Sequence, residues 1–167
     1  ILGGSPTTTR VSLSSTGGQL SAASLRPSIS ADGRFVSFDT TARATPEDTN
    51  SLFDVYVRDT TGNTTVLASR TAANTAGNAP SFESRLSPNG EYLVFSSQAT
   101  DLGGAFDSVF DVFRAQLSVA GGPLAITNLT RISTPPVEAT GGSSSPSVAN
   151  AGRVAFASDE ANLSGGE

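Results

Sequence analysis

The sequence of 167 residues contains no histidine, cysteine, methionine or tryptophan, and all ten of its basic residues are arginine. Without histidine and cysteine the chain cannot hold a Ser-His-Asp triad, a cysteine nucleophile or a zinc site built from those two residue types. Without lysine it cannot form a Schiff base or a phosphate-binding loop that ends in lysine. These absences exclude the commonest catalytic arrangements, and we expect a protein that is not an enzyme.

Charge and long apolar runs are also scarce. Charged residues make up 15% of the chain, and the net charge is −5. Surfaces that bind nucleic acid are basic, so we expect no nucleic-acid partner. No apolar run approaches the ~18 residues of a membrane-spanning helix, so we expect no transmembrane segment. Serine and threonine account for 44 residues, and this composition favours short strands and turns over long helices.

Three stretches of the sequence resemble one another. They read RPSISADGRFVSF at 26–38, RLSPNGEYLVF at 85–95 and PSVANAGRVAF at 146–156. A second motif, FDVY at 53–56, is matched by FDVF at 110–113, and this offset of 57 residues equals the spacing of Phe38 and Phe95, which end the first two stretches. Two separated motifs that share one offset indicate an internal repeat.

Each repeat has the pattern of four strands. A glycine-containing turn between alternating apolar residues is a strong hairpin signal, and polar loops separate the remaining strands. The serine-rich stretch at 143–145 is interpreted as a flexible crossover. The predicted strands are 25–30, 34–40, 53–59 and 64–69 in the first repeat, 82–87, 91–97, 110–116 and 124–133 in the second, and 147–150 and 153–158 in the third.

A repeat of this length that begins with Pro-x-x-Ser-x-Asp-Gly-x-x-x-x-Phe resembles the WD40-like PD40 repeat of TolB-type β-propellers. Residues 26–38 carry the full motif, SPNG at 87–90 has asparagine for aspartate, and NAG at 150–152 is one residue shorter. The resemblance implies an all-β fold of β-propeller blades with four antiparallel strands each. It predicts blades at 24–69 and 82–133, a half blade at 146–163, and, within 1–13, the closing strand of a preceding blade at 8–13.

The resemblance also implies a function. Propellers usually have four to eight blades, whereas this chain holds about two and a half, so we expect an incomplete propeller that belongs to a longer protein or is completed by further copies. The resemblance implies a non-enzymatic protein-binding or scaffold module of an exported bacterial protein, in the periplasm or at the cell surface. The loops at 41–51 and 98–109 would form its binding surface.

Two alternative functions stay open. The chain is a structural subunit of a surface assembly or filament that neighbouring copies complete, or it is the substrate-gating propeller of a larger serine peptidase whose catalytic residues lie outside this sequence. A longer chain with a Gly-x-Ser-x-Gly motif would support the second alternative.

Acidic residues recur between the second and third strands of both full repeats. Oxygen ligands at such close spacing suit Ca²⁺, which takes ~6–8 oxygens. The competing interpretation is that these side chains cap turns by accepting hydrogen bonds from nearby backbone amides. The candidate calcium ligands are Asp48, Asn50, Asp54, Asp101, Asp107 and Asp111.

Overall fold

The computed structural model describes residues 7–103, 109–120, 122–133 and 141–160. The described residues form ten strands and no helix, and every strand pairing is antiparallel. The predicted all-β class with four-stranded antiparallel sheets is confirmed at this level. Within the same residues, nothing has the length and apolar character of a membrane-spanning helix.

The strands form three sheets in which each strand pairs with the next along the chain. Sheet 1 contains β1 (Ser24–Ile29), β2 (Phe35–Thr40), β3 (Asp54–Asp59) and β4 (Thr64–Leu67). Sheet 2 contains β5 (Ser81–Leu86), β6 (Tyr92–Ser97), β7 (Asp111–Ser118) and β8 (Ala125–Arg131). Sheet 3 is the hairpin of β9 (Ser143–Val148) and β10 (Val154–Ser158).

Two expectations about strands differ from the structure. β9 begins at Ser143, where a flexible crossover was expected, because the Ser143 amide donates to the carbonyl oxygen of Phe110 at 2.6 Å and its hydroxyl bonds to that of Ser158 at 2.9 Å. Residues 8–13 form no strand, and the strand-like pairing observed there is an isolated bridge from Leu13 to Gln19. A closing strand needs the third strand of another sheet beside it, and the described chain places none there.

The first hairpin of each sheet has the same irregularity. A β-bulge interrupts the pairing of β1 with β2, of β5 with β6 and of β9 with β10. Each bulge contains a residue in the left-handed region, which costs a non-glycine residue backbone strain. These residues are Arg26 at φ 46°, Glu83 at φ 60° and Ser145 at φ 53°.

The turns of these hairpins also correspond. Each contains a glycine with positive φ, a conformation that favours glycine, namely Gly33, Gly90 and Gly152. One backbone hydrogen bond closes each turn, and the third turn is one residue shorter, as the sequence indicated. The closing bonds run from the amides of Ser30, Ser87 and Ala149 to the carbonyl oxygens of Phe35, Tyr92 and Arg153.

The main core lies between sheets 1 and 2. Strand alternation directs Phe35, Val55 and Val57 of sheet 1 toward sheet 2, where they join a cluster that includes Leu93 and Phe95. The opposite face of sheet 1 has a smaller core of Phe38, Ala44, Tyr56 and Leu67, against which Leu20 packs. β5 contacts β1 and β2, and β9 contacts β5 and β6, so the three sheets follow one another in chain order.

Candidate functional site

The acidic residues of the loop before β3 take turn-capping roles. The carboxylate of Asp48 is buried and accepts hydrogen bonds from the Tyr56 hydroxyl and, at 3.0 Å, from the backbone amide of Asn50. The side chain of Asn50 accepts from the amide of Leu52 at 2.6 Å and donates to the carbonyl oxygen of Gly77 at 3.1 Å. Burial and the nearby Asp48 carboxylate raise the pKa of Tyr56, so its hydroxyl stays a donor.

Asp54 begins β3 and is fully buried. One of its carboxylate oxygens accepts from the Ser69 hydroxyl at 2.6 Å, whereas the other has no hydrogen-bond partner among the described residues. Burial raises the pKa of Asp54 to about 7; the Ser69 hydroxyl and the Asn50 amide oppose this shift, and the nearby Asp48 and Asp101 carboxylates add to it. Asp54 is therefore a carboxyl group that titrates near neutral pH inside the fold.

The matching residues of sheet 2 are also in structural contacts. Asp101 accepts from the backbone amide of Asn78 at 3.0 Å and so closes the loop after β6 against the segment before β5. Asp111 begins β7, is 2% exposed, accepts from the Ser133 hydroxyl at 2.8 Å and lies 2.7 Å from the Arg131 guanidinium.

The loops that hold these residues come close together around residues 77–78. Asn50 bonds to Gly77 from one side, and Asp101 bonds to Asn78 from the other. However, no group of three or more carboxylates in the described parts of the chain is arranged to hold a metal ion. Asp107 lies outside the described residues. The calcium site therefore stays a prediction. Asp48 and Asn50 accept from nearby backbone amides, as the turn-capping interpretation expects. Asp101 accepts from an amide of a distant segment, and Asp54 and Asp111 accept from serine hydroxyls of other strands or their ends.

A further buried carboxylate lies where β1 contacts β2. Asp39 is fully buried and forms an ion pair with Arg26, the bulge residue of β1. The Arg26 guanidinium also lies over the ring of Phe82 in β5, 5.0 Å from its centroid. Burial raises the pKa of Asp39 to about 6, and Arg26 opposes the rise. This group, which the sequence analysis did not single out, joins the first strands of sheets 1 and 2.

Both pairs of successive sheets make the same contact, in which an aromatic ring of one sheet packs on a glycine of the next. A Cβ atom on Gly90 of sheet 2 would lie 2.7 Å from the ring of Phe35 in sheet 1. A Cβ atom on Gly152 of sheet 3 would lie 2.9 Å from the ring of Tyr92 in sheet 2. At both junctions the aromatic ring of one sheet thus occupies the space that a side chain would fill on the turn of the next.

Polar contacts accompany the rings at both junctions. Between sheets 1 and 2, the Ala31 amide donates to the carbonyl oxygen of Pro88 at 2.8 Å. Between sheets 2 and 3, the Asn89 backbone amide donates to the side chain of Asn150 at 2.8 Å, and the Arg114 guanidinium donates to the carbonyl oxygen of Gly152 at 2.8 Å. Each turn is therefore bound to the turn that follows it.

The corresponding position at the start of sheet 1 is open. Leu86 and Val148, the last residues of β5 and β9, are 7% and 8% exposed, whereas the matching Ile29 of β1 is 62% exposed. A Cβ atom on Gly33 would have no neighbour within 4 Å in the described ranges of the chain. We define the leading face as Ile29 together with the turn from Ser30 to Gly33, which includes the exposed Asp32.

The other end of the series lies on β10. The carbonyl oxygen of Arg153 accepts the hydrogen bond that closes the third turn, as those of Phe35 and Tyr92 do in the first two turns. Ala155 and Ala157 lie on the same side of the strand as Arg153. All three residues are exposed. We define them as the trailing face. Neither face was predicted from the sequence, although the recurrence of Gly33, Gly90 and Gly152 was a signal that pointed to them.

No protein-family model matches this chain, and no curated protein matches its sequence.

Proposed function

We propose that this chain forms consecutive blades of a β-propeller of the WD40-like PD40 type and serves as a non-enzymatic protein-binding or scaffold module. The observation that carries the proposal is the junction between successive sheets. The same contact of ring and glycine joins sheet 1 to sheet 2 and sheet 2 to sheet 3. A junction that recurs in one direction is what a series of stacked blades requires.

The open leading face supports a binding role. In a series of blades, the glycine turn of each sheet contacts an aromatic ring of the sheet before it. The same sheet places a ring, or in sheet 3 Arg153, toward the glycine turn of the sheet that follows. Ile29 is a large apolar side chain that this series leaves in solvent, at a position that is buried in the other two sheets. Removing about half or more of such a side chain from water stabilises a complex by about 1 kcal/mol or more.

The buried carboxylates support a non-catalytic role. Asp39, Asp54 and Asp111 are each at most 2% exposed, so a substrate in solution does not reach them. Arg26, Ser69 and the pair of Ser133 and Arg131 hold them from inside the fold. The contacts of these three aspartates position the strands, and this is the role we propose for them. Export to the periplasm or cell surface is proposed from the repeat resemblance alone.

Site-specific photo-crosslinking in the producing cells tests the binding role. p-Benzoylphenylalanine is introduced at position 29 on the leading face and, as a matched control, at position 61, which is exposed in the turn between β3 and β4. We expect position 29 to yield a defined crosslinked protein peptide and position 61 to yield none. No crosslink from position 29, or the same products from both positions, would overturn the proposal.

A further inference from the structure

We propose that the partner on the leading face is a second copy of this chain, docked head to tail so that the trailing face of one copy packs on the leading face of the next. This inference rests on the proposed binding role and names its partner. The copies would repeat the junction that already joins the three sheets within one chain.

The direction of the internal junctions makes the two ends complementary. Phe35 of sheet 1 packs on Gly90 of sheet 2, and Tyr92 of sheet 2 packs on Gly152 of sheet 3. The glycine turn always belongs to the later sheet. At the ends of the series, sheet 1 therefore offers a receiving turn at Gly33, and sheet 3 offers the residue that would contact such a turn, Arg153.

The charges at the two ends are opposite. The receiving turn carries Asp32, and the place of the aromatic ring is taken by Arg153, both of them exposed. The Ser30 hydroxyl and the Arg34 backbone amide lower the pKa of Asp32, so its carboxylate is ionised at neutral pH. A guanidinium and a carboxylate that meet at a junction form hydrogen bonds stronger than neutral ones.

An arginine already contacts the equivalent turn within the chain. The Arg114 guanidinium donates to the carbonyl oxygen of Gly152 at 2.8 Å and lies over the ring of Tyr92, 5.8 Å from its centroid. The turn of a later sheet therefore accepts a guanidinium from the sheet before it. Arg153 would make the corresponding contact to the turn that contains Gly33.

Part of sheet 1 beside the leading face is already covered within the chain. Leu20 packs on the Phe38 side of sheet 1, and the Thr65 hydroxyl donates to the carbonyl oxygen of Leu13 at 2.8 Å. Residues 13–20 thus pack on sheet 1 at Phe38 and at β4, while Ile29 of β1 stays exposed. Sheet 3 is itself a hairpin, and its small Ala155 and Ala157 leave room for the larger Ile29.

Charge reversal tests this pairing. The chain and its variants are compared by native mass spectrometry and sedimentation at micromolar concentration, and thermal unfolding checks that each variant is folded. We expect the parent chain to form multiples of 16.9 kDa. Arg153→Asp and Asp32→Arg should each weaken self-association about tenfold or more, and the double variant should restore it because the pair is re-formed with its charges exchanged. Arg10→Asp, at an exposed position outside both faces, is the control for net charge.

Three results would overturn the inference: a parent chain that stays monomeric, single reversals that act no more strongly than Arg10→Asp, or a double variant that does not recover. The crosslink from position 29 separates this failure from that of the binding role. A crosslink to residues 143–160 of another copy supports both proposals. A crosslink to a different protein, or to a segment of the same polypeptide outside this sequence, supports the binding role and overturns the second-copy partner.

Discussion

Sheets 1 and 2 differ in the surroundings of the two aspartates that begin their third strands. Asp54 and Asp111 lie at the same place in the FDVY and FDVF motifs, both are buried, and both accept a hydrogen bond from a serine hydroxyl. Asp111 also has the Arg131 guanidinium at 2.7 Å. In sheet 1, Leu67 holds the position of Arg131, because Leu67 pairs with Tyr56 as Arg131 pairs with Phe113.

The difference teaches that one motif can specify a strand without specifying its electrostatics. Ionised Asp111 has a cation beside it, whereas Asp54 forms no ion pair within the described part of the chain and has the Ser69 hydroxyl, the Asn50 amide and other carboxylates around it. Burying a carboxylate is unfavourable unless its charge is removed or paired. In sheet 1, burial raises the pKa of Asp54 to about 7, so that its carboxyl group binds a proton below that pH. In sheet 2, Asp111 forms an ion pair with Arg131. The three predictions below test this contrast and the parallel contrast between the open and filled glycine turns.

The largest effect is expected from Arg131→Leu, which gives sheet 2 the arrangement of sheet 1. Removing one partner of a buried ion pair destabilises a protein by about 3–5 kcal/mol, because the remaining charge is left in the interior. Urea denaturation at neutral pH measures the free energy of unfolding. Arg10→Leu, at an exposed position, serves as the control and should change it little. A loss below about 1 kcal/mol for Arg131→Leu would show that the pair is not isolated from water.

A smaller effect of opposite sign is expected from Asp54→Asn. The folded pKa of about 7 lies above the ordinary 3.8, so the native state binds more protons than the unfolded state between these values. The free energy of unfolding therefore falls as the pH rises through this window, and the loss is complete above the folded pKa. Asparagine keeps an oxygen for the Ser69 hydroxyl and removes the charge. We expect the variant to be more stable than the parent at about pH 8, by about 2 kcal/mol.

The pH profile provides the check on Asp54. The parent should lose stability between about pH 4 and pH 7, whereas Asp54→Asn should lose less over the same range. Asp111→Asn is the matched change in sheet 2, and it should destabilise because it leaves the Arg131 guanidinium without its carboxylate. If both asparagine variants changed stability in the same direction, the contrast between the two sheets would be wrong.

The smallest effect is expected at the glycine turns. Gly33 and Gly90 have nearly the same φ, 73° and 72°, so alanine meets the same backbone strain of about 1 kcal/mol at both. At Gly90 the added Cβ would also lie 2.7 Å from the ring of Phe35, and the ring must move. We expect Gly90→Ala to cost about 1–2 kcal/mol more than Gly33→Ala. Thermal unfolding of the two variants measures the difference, and equal losses would show that the ring adapts freely.

Much of sheets 1 and 2 could be predicted from the sequence. The predicted strand at 34–40 is observed as Phe35–Thr40, and that at 53–59 as Asp54–Asp59, because alternating apolar residues and glycine turns mark them locally. β9 was placed too late, at 147–150. Its serines have no apolar alternation, and the strand forms through pairing with β10 and through the contact of Ser143 with Phe110.

The candidate site was predictable only in part. The acidic residues were identified by their spacing, and the sequence also offered turn capping as their role. Nothing in the local sequence distinguishes Asp54 from Asp111, because the residue that decides between them lies more than ten positions along the chain, at Leu67 or Arg131. The pKa of a buried group depends on which side chains the fold brings beside it.

The sequence by itself determined the local elements of this protein: short antiparallel strands, glycine turns that need a positive φ, and aromatic residues that recur on one side of the strands. These follow from the conformational preferences of single residues and of their near neighbours. Only the tertiary structure decided which glycine receives a ring, which aspartate receives an arginine, and that Ile29 stays in solvent while Leu86 and Val148 are buried. The ring contacts join residues more than fifty positions apart, and the ion pair joins Asp111 to Arg131 on the neighbouring strand. Such contacts exist only once the strands and sheets are packed.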